Sequence, residues 1–280
     1  LPFEKQAVKA NVHKMPGVAA FSDEFRDSLR GAWSDDSKGA FVIGRFGYSD
    51  GVKFGLAGGI SHGQLYNDST DFTITSWVKE PTQFISYVSC HDDLCIIDRL
   101  KKTLPGASQK ELSALLKLAE TALFTSQGVP FIYAGDEIMR DKKGVHNSYK
   151  SPDEINAINW RNKTYNRETF DYIRDLIAMR KAHPAFRMGS ADLVKTHLEF
   201  LETPAENVVA FRLKGKPCGD SWMNTIVVLN ARTETVKIDI PDGRYRVVCK
   251  DGKIDWIKGL GMISGNQISV SPRTAMIVHQ

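Results

Sequence analysis

The chain has 280 residues, 42% of them hydrophobic and 25% charged, enough to bury a large core in one domain or in a large and a small one. No run of about 18 apolar residues suggests a membrane span, so a soluble protein is expected. The net charge of +4 comes from 37 basic and 33 acidic residues without a basic block, which argues against nucleic acid as a partner.

Four cysteines, Cys90, Cys95, Cys218 and Cys249, show neither zinc spacing nor a dense disulfide framework, and are expected to be free thiols. The opening residues carry no signal-peptide apolar region and no start methionine, which leaves the compartment unknown.

In chain order, VAAFSDEFRDSLRG (18–31) reads as a short strand running into a polar loop or helix. Residues 32–70 are rich in Gly, Ser and Asp. Gly55, Gly58 and Gly59 lack the pattern of a dinucleotide or phosphate loop, so no cofactor role is expected there. FISYVSC (84–90) is an aromatic and β-branched run that reads as a buried strand, and it ends in His91, Asp92 and Asp93. Three adjacent titratable groups at a strand end are costly unless solvent or a ligand meets them.

Ser108 and Glu111 form an S-x-x-E capping box. The helical spacing of Leu112, Leu115, Leu116, Ala119, Ala122 and Leu123 predicts a helix that Gly128 ends. VPFIYA (129–134) then reads as a strand buried on both faces, ending in Gly135, Asp136 and Glu137. Phe170, Ile173, Leu176, Ile177 and Arg180 predict a helix over 168–182, stopped by Pro184. From about residue 190 come VVAFRLKG, NTIVVLNA, ETVKIDI, RYRVVCK and QISVSPRTAMIVH, separated by turn signals such as PDG and KDG. They predict an appended antiparallel β domain.

Both strands at 84–90 and 129–134 deliver carboxylates at their C-terminal ends, where a parallel α/β barrel builds its active site. Only three barrel-like strands can be found (18–21, 84–90, 129–134), whereas a complete eight-stranded barrel takes about 250 residues. The α/β part is therefore either a smaller open sheet or the back portion of a barrel.

YVSCHDD and GVPFIYAGDE resemble two signature segments of the α-amylase superfamily, the family 13 glycoside hydrolases. IMRDKKGVHNSYKSPDEINAINW (138–160) is similar to the segment after the last barrel strand of type I pullulanases, and NVHKMPGVAAFSDEFRDSLRG to their entry into the sixth strand. The resemblance runs from about residue 5 to the end. It implies the C-terminal part of a (β/α)8 TIM barrel over residues 1–188, about strands 6 to 8, followed by an antiparallel β-sandwich domain over 189–280.

The family acts through three carboxylates, and Asp92 matches the third, a transition-state stabiliser, while His91 matches a hydrogen-bond donor to the sugar. Asn147, Tyr149 and Asp153 are implied substrate contacts. The nucleophile Asp and the acid Glu have no counterpart, since no G-x-R-x-D segment is present. A retaining glycosidase needs that pair about 5–5.5 Å apart, so the chain by itself is expected to be inactive.

Other polar residues have plainer readings. Asp93 stands outside the catalytic set, because a second charge beside Asp92 would disfavour ionisation of both. Asp136 and Glu137 read as structural, and Ser148, Pro152 and Asn156 as shaping a turn. Tyr133, Trp77 and Trp160 read as core.

The reading is thus a portion of a retaining, pullulanase-like enzyme of α-1,6-glucosidic hydrolysis, with no cofactor implied. Its expected partners are an α-glucan and either the N-terminal half of the same enzyme or a second copy, through open strand edges. Two alternatives remain open. One is a metal-dependent hydrolase using His91, Asp92, Asp136, Glu137 and His146. The other is a non-catalytic glucan-binding or docking module.

Overall fold

A computed structural model describes residues 1–65 and 75–280; the end of the Gly/Ser/Asp-rich 32–70 stretch lies outside the described residues. Two strand systems organise the chain. The first is a three-stranded parallel sheet of β1 (Ala20–Phe21), β2 (Phe84–Tyr87) and β3 (Val129–Phe131), in that order. Ala20 pairs with Phe84, and Ile85 with Val129.

Helices α1 (Asp23–Arg30) and α2 (Ser49–Leu56) follow β1, and α3 (Ile96–Thr103) and α4 (Gln109–Thr125) link β2 to β3. The predicted helix is α4, and Ser108 Oγ accepts the Glu111 N–H at 3.2 Å. Only that half of the capping box forms, because the Glu111 carboxylate turns outward to Arg273. The helix stops at Thr125, ahead of Gly128. Gly128 has another reason to lack a side chain: a Cβ there would meet Ser86 Oγ at 2.4 Å and the Phe84 carbonyl at 2.7 Å.

The reading of 129–134 as a strand buried on both faces needs correction. The strand ends at Phe131 and Val129 is 44% exposed. Among the described residues β1 and β3 have one neighbour each, so both present an open edge. Helix α2 lies in the Gly/Ser/Asp-rich stretch, where no helix is predicted. Gly55 and Gly51 let α1 approach, for a Cβ at Gly55 would lie 1.9 Å from the Phe25 ring and one at Gly51 1.9 Å from Ser28 Oγ.

Short helices α5 (Asp153–Asn156) and α6 (Asn162–Tyr165) lead to α7 (Arg167–Ala182), close to the predicted span, and α8 (Ala191–His197) enters the second strand system. That is an antiparallel sheet of seven strands: β4 (Leu198–Leu201), β5 (Val208–Lys214), β6 (Asn224–Asn230), β7 (Val236–Lys250), β8 (Lys253–Ile254), β9 (Gly261–Val270) and β10 (Thr274–His279). The order is β4-β5-β6-β10-β7-β8, with β9 on β7.

Alternate residues serve two cores. Val209, Phe211, Leu213, Val227 and Leu229 join the main core with α4, while Val208, Ala210, Ile226 and Val228 join a second core with Ile238, Tyr245 and Ile268. The two cores lie on opposite faces of β5 and β6, within one continuous sheet. The expected turn at PDG is an irregularity inside β7, where the register to β9 shifts between Asp239 and Gly243. KDG does turn: Asp251 and Gly252 take φ of 52° and 69° between β7 and β8, as an Asp-Gly hairpin turn requires.

Candidate functional site

His91 and Asp92 emerge four and five residues beyond β2, at its C-terminal end, with side chains 78% and 72% exposed and 3.5 Å apart. Their turn is held from below. Lys142, fully buried, donates from Nζ to the Asp93 carbonyl at 2.8 Å and to the His91 carbonyl at 3.4 Å. Arg30, buried in α1, donates to the Leu94 carbonyl and lies 3.3 Å from the Asp93 carboxylate. Asp93 adopts φ of 59°, a conformation that these bonds must stabilise in a residue other than glycine.

Asp92, Asp93, His146 and Asn147 line an open cleft of about 480 Å³ with Asp23, Arg26 and Trp33. Asp23 sits at the end of β1 as Asp92 does beyond β2, and the AFSDEFR stretch carried that strand-end signal unused. Burial works against its ionisation, but the Tyr87 hydroxyl at 2.6 Å and the cations of Lys9 and Arg26 hold its carboxyl below the usual value. Trp33, 66% exposed, offers an aromatic face at the rim. Nothing in its Gly/Ser/Asp-rich surroundings marked it.

Of the expected substrate contacts, Asn147 reaches the cleft beside Asp92. Its Oδ1 accepts the Asp93 N–H at 3.1 Å, which leaves its Nδ2 without a protein partner among the described residues. Tyr149, 79% exposed, and the exposed Asp153 at the start of α5 follow Asn147 in the chain but do not line the cleft. Asn156 shapes that segment, donating to the carbonyls of Ser148 at 2.6 Å and Ser151 at 2.8 Å and accepting from Ser148 Oγ. Trp77 is buried and stacks on Phe84, whereas Trp160 is 66% exposed, which corrects its reading as core.

His146 stands between two carboxylates, with Nδ1 2.5 Å from Asp93 and Nε2 against Asp36. The ring can donate to both only when both nitrogens carry protons. Asp36 also meets Arg99 at 2.7 Å and Lys102 at 2.8 Å. Asp36, Asp93 and His146 are the one group found among the described residues with the ligand atoms for a metal ion, and only His146 belongs to the set expected of a metal-dependent hydrolase. The Lys102 ammonium already pairs with the Asp36 oxygen that His146 meets.

Asp136 is fully buried, with neither carboxylate oxygen hydrogen-bonded, and burial pushes its pKa up to about 7. Glu120 behind it is equally buried and unpaired. Glu137 accepts the Gly135 N–H at 3.0 Å. All four cysteines are free. Among the described residues no helix is long and apolar enough to cross a membrane.

A family model described as "Pullulanase, all-beta domain" matches residues 194–253. The pullulanase of Bacillus subtilis (strain 168) is 37% identical over 250 residues, 89% of this chain and 33% of that protein. Pullulanase A of Streptococcus pneumoniae serotype 2 is 26% identical over 69% of this chain and 18% of its own length. Among solved structures, type I pullulanase from Bacillus subtilis str. 168 complexed with maltose superposes with a TM-score of 0.91 at 34% identity, covering 100% of this chain and 38% of that one. Pullulanase from Paenibacillus barengoltzii in complex with maltohexaose and alpha-cyclodextrin gives 0.87 at 35% identity, covering 100% and 41%. Pullulanase homologues thus cover this chain, as its motifs implied, and the chain spans about a third or less of the curated relatives it matches.

Proposed function

We propose that this chain is a C-terminal portion of a retaining α-glucan debranching glycoside hydrolase, acting in its complete form on α-1,6 linkages of pullulan and limit dextrins. The observation that carries the reading is the superposition of the whole chain on a pullulanase solved with maltose. The His91–Asp92 turn at the end of a parallel strand supports it, because that is where a barrel assembles its catalytic groups.

In this reading residues 1–188 are about strands 6 to 8 of a (β/α)8 barrel, and residues 189–280 form the β-sandwich domain. The remaining strands, supplied by an upstream half, add to the open edges of β1 and β3. Asp92 strengthens its hold on the sugar as oxocarbenium character grows, and His91 donates to a hydroxyl. Asn147 contributes its free amide to the glucan while its carbonyl positions the turn. Tyr149 and Asp153 reach the substrate farther out, in the exposed segment after Asn147. The acid and the nucleophile come from the upstream half.

The test is reducing-end release from pullulan by the chain alone and mixed with that half. Activity only in the mixture, lost in Asp92→Asn, is the expected result. Turnover by the chain alone would show that its own carboxylates include a working pair, and would overturn the assignment.

A further inference from the structure

A cavity of about 550 Å³ lies in the seam between the helices and the β domain, sharing no lining residue with the His91–Asp92 cleft. The first turns of α4 and α7 form one side, and the β7–β8 and β9–β10 turns form the other. Its volume falls within the range of small-molecule sites, roughly 300–1,000 Å³.

The lining is charged unevenly. Lys110, Lys117, Arg167, Lys253 and Arg273 face it against two acids, Glu168 and Asp251. Arg167 and Arg273 are paired with Asp171 and Glu111, and the Nε of Arg273 is buried without a partner. The three lysines make no ion pair among the described residues. Lys117 is the most unusual of them, only 8% exposed, with Nζ donating to the Gly252 carbonyl at 3.1 Å and lying 5.3 Å from the Tyr172 ring centre. Burial disfavours the Lys117 ammonium and the field of Glu168 offsets this only in part, so an anion in the cavity would stabilise it. The N-terminal turns of α4 and α7 both border the cavity, and each adds positive potential there. Tyr165, 76% exposed at the rim, presents a ring face on which a sugar can stack.

We propose that this cavity binds a small phosphorylated polyol, its phosphate held by Lys117 and Lys110 two turns apart along α4 and its hydroxyls by Glu168 and Asp251. The phosphate supplies the negative charge missing from the lining. The two acids favour a ligand with hydroxyl donors over a bare anion.

Isothermal titration of the 280-residue chain with glucose 6-phosphate, inorganic phosphate and glucose tests this. The sugar phosphate should bind about tenfold or more tightly than either of the others, a difference of one charge-assisted contact set. Lys117→Met, which keeps the buried stem, should weaken it about tenfold, and Lys110→Gln, at the surface, several-fold, with melting temperatures checking that both variants fold. Absence of saturable binding at millimolar sugar phosphate, or variants that bind like the parent, would overturn the site. Inorganic phosphate binding as tightly as the sugar phosphate would overturn the polyol component.

Discussion

Asn147 accepts the backbone N–H of Asp93 at 3.1 Å, so the loop after β3 holds the turn after β2 at the residue following Asp92. The same turn is gripped through its carbonyls by Lys142 and through its carboxylate by Arg30 and His146. The polar residues around Asp92 therefore act on its neighbours in the turn, His91, Asp93 and Leu94.

Removing one strand of that grip should loosen the turn without unfolding the chain. Asn147→Ala forfeits one hydrogen bond, a net of about 1 kcal/mol. Hydrogen exchange of the Asp93 amide is expected to accelerate roughly five-fold, while amides in α4 keep their protection. Unchanged exchange at Asp93 would show that Lys142 and Arg30 suffice.

Asp136 and Glu120 set a pH dependence of stability. Burial raises both pKa values above those of the unfolded chain, Asp136 to about 7. The folded state thus holds more protons than the unfolded state between about pH 4 and pH 7. The stabilisation from these groups is complete below the unfolded value and is lost as pH rises through the folded one. The thermal midpoint is expected to be higher at pH 5 than at pH 8, and Glu120→Gln to narrow the gap. A midpoint that rises from pH 5 to 8 would contradict this.

Gly55 is required by packing. Alanine there would press a methyl into the Phe25 ring, and overpacking of this kind costs about 1–3 kcal/mol. Gly189, with nothing within 4 Å of an added Cβ, is the control and should tolerate alanine almost without effect. Urea midpoints of the two variants distinguish them.

Arg180 closes the C-terminal end of α4 by donating to the carbonyls of Phe124 at 3.1 Å and Gly128 at 2.7 Å, and to those of Ser126 and Phe186. Burial lowers its pKa to about 10. Arg180→Met should destabilise by about 2–4 kcal/mol, since it leaves several buried carbonyls unpaired. A chemical-denaturation midpoint equal to that of the parent would mean that water replaces the guanidinium.

Features held within one turn or one period were legible in the sequence. The Ser108 cap, the apolar spacing in α4 and α7, the β-rich runs of β5 and β6 and the Asp-Gly turn after β7 all follow from local energetics, and the strand end at 84–90 marked the His91–Asp92 turn. The chain's similarity to pullulanases was likewise carried by contiguous motifs.

Tertiary structure decided what depends on partners remote in sequence. Gly51 and Gly55 sit in a helix because α1 must come close, and PDG stays within a strand because β9 pairs on both sides of it. Trp33 reaches the cleft because Arg99 folds its loop back through the carbonyls of Ala32, Asp35 and Lys38. Asp93, His146 and Asp36 form one network although 57 residues separate Asp36 from Asp93 and 53 separate Asp93 from His146. A local pattern reports the conformation that a segment prefers; which charge it meets is settled only when other segments pack against it.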